Sequence, residues 1–180
     1  MQTVEPIRDP EKIEEIKRIL KRESYRNWFL FIMGINTGLR ISDLLKLQVK
    51  HVHDKSHILL KEQKTGKSKK FRINSSLKMY VDDYIFDMQE EDYLFPSRLT
   101  SQPIKRVQAY KILNRTAKRV GLSSIGTHTL RKTFGYHFYK LHKDVVKLQK
   151  IFNHAAPSIT LIYIGIEQEE IDDAIDDFIL

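Results

Sequence analysis

Arg40 in Thr37-Gly38-Leu39-Arg40, His128 and Arg131 in His128-Thr129-Leu130-Arg131, then His154, and Tyr163 nine positions after it are the residues best suited to chemistry. Guanidinium and imidazole groups can hold a phosphate while negative charge builds on it, and a phenol hydroxyl can attack its phosphorus. Two arginines, two histidines and a tyrosine suffice to sever a phosphodiester without a metal.

Taken one at a time, each segment has a plainer reading. His128 and Arg131 lie three residues apart, which at a helix start puts both on one side to grip one phosphate, but a solvated basic face has the same spacing. Arg40 follows a helix-ending glycine, and Asp43 three residues on can pin its guanidinium; a local surface Arg/Asp pair fits equally. Lys64-Thr65-Gly66-Lys67 sits among Lys61, Lys69 and Lys70. It reads either as a basic loop touching DNA backbone or as the source of one mobile lysine that protonates a leaving oxygen. The segment lacks the glycine and Lys-Ser/Thr spacing of a P-loop. His51, His53 and His57 have no cysteine partners and no His-Glu-x-x-His pattern, so no metal site and no cofactor are expected.

These groups need elements to bring them together. Asp9-Pro10-Glu11 starts a helix with an N-cap acid and proline at the first position, followed by Ile13, Ile16, Ile19 and Leu20 on one stripe. Trp28 to Ile35 is apolar on most sides and runs into Gly38, which predicts a buried helix. Ile41, Leu44, Leu45 and Leu47 give a short helical face just after Arg40. His57 to Leu60 and Lys69 to Ile73 flank the Lys-Thr-Gly-Lys segment and predict a β-hairpin. Helical spacing returns at Leu77 to Ile85 and Ile104 to Val120, then at about Leu130 to Leu141, Val145 to Phe152, Pro157 to Tyr163 and Glu167 to Ile179. The expected fold is mainly α with one small sheet.

The chain of 180 residues has 31 Lys+Arg against 23 Asp+Glu, a formal charge of +8, which favours a polyanionic partner. Glu167 to Leu180 holds seven acids and no Lys or Arg, so this tail should face away from a polyanion. Cysteine is absent, which excludes disulfides and thiolate metal sites. No run approaches the roughly 18 apolar residues of a membrane span, and the N-terminus has no signal-peptide core. The expectation is a soluble cytoplasmic protein, folded over residues 1–180 as one domain.

Together the motifs resemble the catalytic domain of the tyrosine recombinase, or phage-type integrase, family from about Arg8 to Tyr163. Thr37 to Leu45 resembles its first-arginine motif, Lys64-Thr65-Gly66 its hairpin lysine, His128 to Arg131 its His-x-x-Arg box, and Phe152-Asn153-His154 through Tyr163 its final histidine and nucleophile. The resemblance implies site-specific cleavage and rejoining of double-stranded DNA for integration, excision or resolution. Tyr163 would form a 3′-phosphotyrosine and release a 5′-hydroxyl. Arg40, Arg131 and His154 would hold the nonbridging oxygens, Lys64 would protonate the leaving oxygen, and His128 would assist proton transfer from the tyrosine. Asp43 would support Arg40, while Lys61, Lys67, Lys69 and Lys70 would contact DNA.

Two departures stand out. Family members usually carry an N-terminal helical domain that closes around DNA, for which 180 residues leave no room. Asn153 stands where glycine usually precedes the histidine, which puts the local backbone in question. The family often packs the segment after the tyrosine on a neighbouring protomer, and four protomers act on two duplexes. Ile171, Ala174, Ile175 and Phe178 form an apolar stripe at helical spacing that would serve such an exchange, with docking on its own chain as the alternative. A relaxing topoisomerase with related chemistry and a DNA-binding or assembly protein that has lost catalysis are the competing functions.

Overall fold

The computed structural model describes residues 4–61, 66, 68–123, 125–176 and 178. The tip of the expected hairpin, with Lys64 and Lys67, lies outside the described residues.

Helix α1 (Pro10–Glu23) begins where the Asp9 carboxylate accepts the Glu11 backbone N–H at 2.8 Å, and it buries Ile13, Ile16 and Leu20. Ser24 closes α1 and caps α2 (Tyr25–Thr37), so the two helices turn on one residue. Helix α2 is buried continuously from Asn27 to Gly34, as its all-round apolar character predicts. It ends at Gly38, whose left-handed φ of 63° suits glycine and whose missing Cβ leaves space for the Phe134 ring. One turn later α3 (Ile41–Leu44) starts, with Arg40 at its N-terminus.

Strands β1 (His57–Lys61) and β2 (Ser68–Arg72) pair antiparallel, Ile58 opposite Phe71 and Leu60 opposite Lys69. Ile58 and Phe71 are buried, so strand alternation also turns Leu60 and Lys69 towards the body and Lys61 and Lys70 outwards. Helices α4 (Ser75–Ile85) and α5 (Arg106–Arg119) then pack on α2 and α1 respectively.

Further helices are α6 (Thr129–His142), α7 (Val145–Phe152), α8 (Pro157–Ile164) and α9 (Glu167–Asp176). The larger hydrophobic cluster runs through α1 to α5 and reaches Leu130 of α6; the smaller joins Tyr136, Tyr139, Leu148, Phe152, Ile164 and Ile166. Ile151 packs against both clusters. At Gly135 an added Cβ would stand 2.7 Å from both Ile164 and Phe152, so only glycine lets α8 lie this close to α6. Among the described residues no helix is long and apolar enough to cross a membrane.

Candidate active site

Arg131 lies where the two clusters meet. It is 3% exposed and donates through Nη1 to the Gly38 carbonyl (2.6 Å) and through Nη2 to the Phe152 carbonyl (2.9 Å). One guanidinium thus ties the end of α2 to the end of α7. The solvated basic face is excluded for this residue. Its guanidinium carbon sits 4.2 Å from the centroid of the Phe152 ring.

His154 follows α7 by way of Asn153. Asn153 has a φ of 58°, the left-handed conformation that asparagine tolerates best after glycine. The departure from the family's glycine therefore leaves the turn intact. His154 Nδ1 lies 2.9 Å from the hydroxyl of Thr160, which is fully buried on α8 one turn before Tyr163. Burial, then the nearby positive charges of Arg131, Arg40 and Lys69, push the imidazole pKa down to about 4. At neutral pH His154 is uncharged, and when Thr160 donates to Nδ1 the proton sits on Nε2, available to a phosphate oxygen.

The rings of His154 and Tyr163 are 5.1 Å apart, and Phe152 packs edge-on to Tyr163 at 5.6 Å. The Tyr163 hydroxyl lies 3.4 Å from His128 Nδ1, the long end of hydrogen-bond range, and also engages Arg131. Burial raises the phenol pKa, opposed by Arg131 and Arg40, so Tyr163 carries its proton at neutral pH and His128 stands where a base would take it. His128 is the N-cap of α6, which places it one turn before Arg131 on the same face.

Arg40 reaches this cluster by its field on both His154 and Tyr163, and Asp43 is buried in the turn that Arg40 opens. Lys69, expected as a DNA contact, donates to the Lys150 and Ile151 carbonyls at 3.1 and 2.6 Å. It holds the end of α7 beside His154 and complements the helix dipole there. Lys61 and Lys70 lie exposed on the hairpin's outer face, while Lys64 and Lys67 fall outside the described residues. Arg40, His128, Arg131, His154 and Tyr163 therefore converge. His51, His53 and His57 instead have local partners: the Gln48 backbone N–H, Glu90 and Ser56.

Sequence reasoning missed Thr160 and Lys132. Thr160 was legible in one respect, since it lies three residues before Tyr163 on the same helix face. Lys132 Nζ stands 5.2 Å from the centroid of the Tyr163 ring, a contact that only the docking of α8 on α6 creates.

The model of the phage integrase family matches residues 8–170. A probable integrase/recombinase of Bacillus subtilis (strain 168), YoeC, is 54% identical over 169 residues, spanning 94% of this chain and 93% of that protein. The tyrosine recombinase XerA of Pyrococcus horikoshii is 25% identical over 91% of this chain, which spans 59% of XerA's length. Among solved structures, XerA recombinase superposes with a TM-score of 0.76 at 19% identity over 94% of this chain and 62% of its own. XerH site-specific recombinase bound to palindromic difH in a post-cleavage complex gives 0.71 at 21% identity, over 98% and 54%.

Proposed function

The chain belongs to the phage integrase family, and from that premise we propose that it cuts and rejoins double-stranded DNA at specific sites through Tyr163. The phenol oxygen attacks the phosphorus, the bond to the 5′-oxygen breaks, and a 3′-phosphotyrosine forms with release of a 5′-hydroxyl. His128 takes the phenol proton. Lys64, by its motif, supplies the proton that the leaving oxygen needs. Arg40, Arg131 and His154 hold the nonbridging oxygens, and removing one such donor typically costs about a hundredfold or more in rate. The covalent link conserves the bond energy, so attack by the 5′-hydroxyl reverses the step without ATP.

The observation that carries this reading is the Tyr163 hydroxyl held between His128 and Arg131, with neutral His154 beside its ring. Lys61, Lys67 and Lys70 belong to the DNA-facing surface in this reading, and Lys69 to the frame of the site. The 180 residues act as a single catalytic domain in the cytoplasm, four protomers on two duplexes. Exposure of Ile171, Ile175 and Phe178 supports exchange of α9 between neighbours.

The test is incubation with supercoiled and fragmented source DNA, without added metal, followed by a denaturing gel for protein covalently joined to DNA. The expected result is an adduct in the parent protein and none in Tyr163→Phe, which still binds DNA. An adduct in the phenylalanine variant would show that another residue is the nucleophile. Salt-sensitive binding with no adduct from either protein would favour a binding role.

A further inference from the structure

On α6, His128, Arg131 and Lys132 share one face, and the first two already meet Tyr163. Lys132 is 8% exposed, and its ammonium lies 5.2 Å from the centroid of the Tyr163 ring. The next turn of the same face is Gly135, the point at which α8 approaches α6 closely enough to make that contact.

Among the described residues, the negative charge that acts on Lys132 is Glu5, in the segment before α1. That segment is fastened to the same two helices. Ile7 is 2% exposed, donates its N–H to the Thr133 hydroxyl at 2.9 Å, and has its carbonyl 2.9 Å from His137 Nε2. Arg8 donates to the carbonyl of Gly165, the residue that ends the Tyr163 helix, at 3.0 Å. A buried ammonium costs desolvation, which here lowers its pKa, and Glu5 works against that fall.

We propose that Lys132 is a positioning residue for the nucleophile: its buried ammonium, set over the Tyr163 ring and counterbalanced by Glu5, holds the phenol in place and favours its ionised form. The inference rests on Tyr163 being the nucleophile. A cation on a ring face is attracted to the neutral phenol and more strongly to a phenolate. The same charge thus assists attack, when the phenol loses its proton, and rejoining, when phenolate departs. Among the described residues, the other charged or titratable groups facing Tyr163 are Arg40, His128, Arg131 and His154.

The experiment places 3-fluorotyrosine at position 163 of the full chain and titrates it by fluorine NMR without DNA, in parent, Lys132→Met, Lys132→Arg and Glu5→Gln backgrounds. Lys132→Met is expected to raise the phenol pKa relative to Lys132→Arg, whose charge persists throughout the titration. Glu5→Gln, which removes a compensating negative charge, moves it the opposite way. Single-turnover cleavage by unlabelled Lys132→Met should fall about tenfold at neutral pH, with the arginine variant near the parent. A phenol pKa in folded Lys132→Met no higher than in Lys132→Arg, or an unchanged one in Glu5→Gln should the methionine variant not fold, would overturn the proposal. Titrations that move as expected, in a parent chain that forms no Tyr163 adduct, would count against the cleavage function and leave the Lys132 contact standing.

Discussion

Arg131 donates to carbonyls in two separate elements, so its removal acts on stability as well as on chemistry. Arg131→Ala is expected to lower single-turnover cleavage about a hundredfold or more. It should also destabilise the fold by about 1–3 kcal/mol, because buried carbonyls lose a charged donor. Chemical denaturation and cleavage by the same preparation check both, and unchanged stability would contradict the tie between α2 and α7. His154 gives a pH signature. Its folded pKa of about 4 lies below the ordinary 6.5, so between those values the unfolded chain binds a proton that the native chain does not. The stabilisation from keeping it neutral is complete above about pH 6.5 and is lost progressively as pH falls towards 4. Thermal melts at pH 7.5 and 5.0 should therefore separate more for the parent than for His154→Gln. Equal separations would show that the imidazole is not held in its neutral form.

At the scale of elements, the site depends on how helices end and approach. Asn153 supplies the left-handed residue between α7 and His154. Asn153→Gly is expected to be neutral within a few tenths of a kcal/mol, whereas Asn153→Val should cost about 1–2 kcal/mol, since a β-branched residue resists positive φ. Melting temperatures check this, and a tolerated valine would contradict the assigned backbone. The hairpin illustrates a finer point of register. The lysines at 61, 67, 69 and 70 look alike as a basic cluster, yet pairing with Leu60 turns Lys69 inwards to the end of α7, whereas Lys70 stays outside. The period-two alternation with buried Phe71 already carried that information, but the destination of the inward lysine depended on where α7 lies.

For the whole molecule, the net charge of +8 is unevenly spread, with seven acids and no Lys or Arg from Glu167 to Leu180. DNA affinity should fall with salt at a log–log slope of about −0.9 per phosphate contact, measured by fluorescence anisotropy; a nearly flat response would contradict the DNA reading. Helix α9 touches its own chain where Tyr139 donates to Glu170 at 2.9 Å, while Ile171, Ile175 and Phe178 stay exposed. Deleting Glu167 to Leu180 should abolish assembly on DNA and leave binding by single protomers, as read by native gels. Full assembly without the segment would overturn the exchange. The sequence by itself determined the helices, the two paired strands and which five polar residues would come together, because caps, periodicity and motif spacing are local or ordered along the chain. Only the tertiary structure decided that Arg131 is buried between two helix ends, that His154 is held well below its ordinary pKa, and that Lys132 and Thr160 lie against Tyr163 and His154. Burial, fields and contacts between α6, α7 and α8 depend on the distance at which helices pack, and Gly135 sets that distance through atoms it does not have.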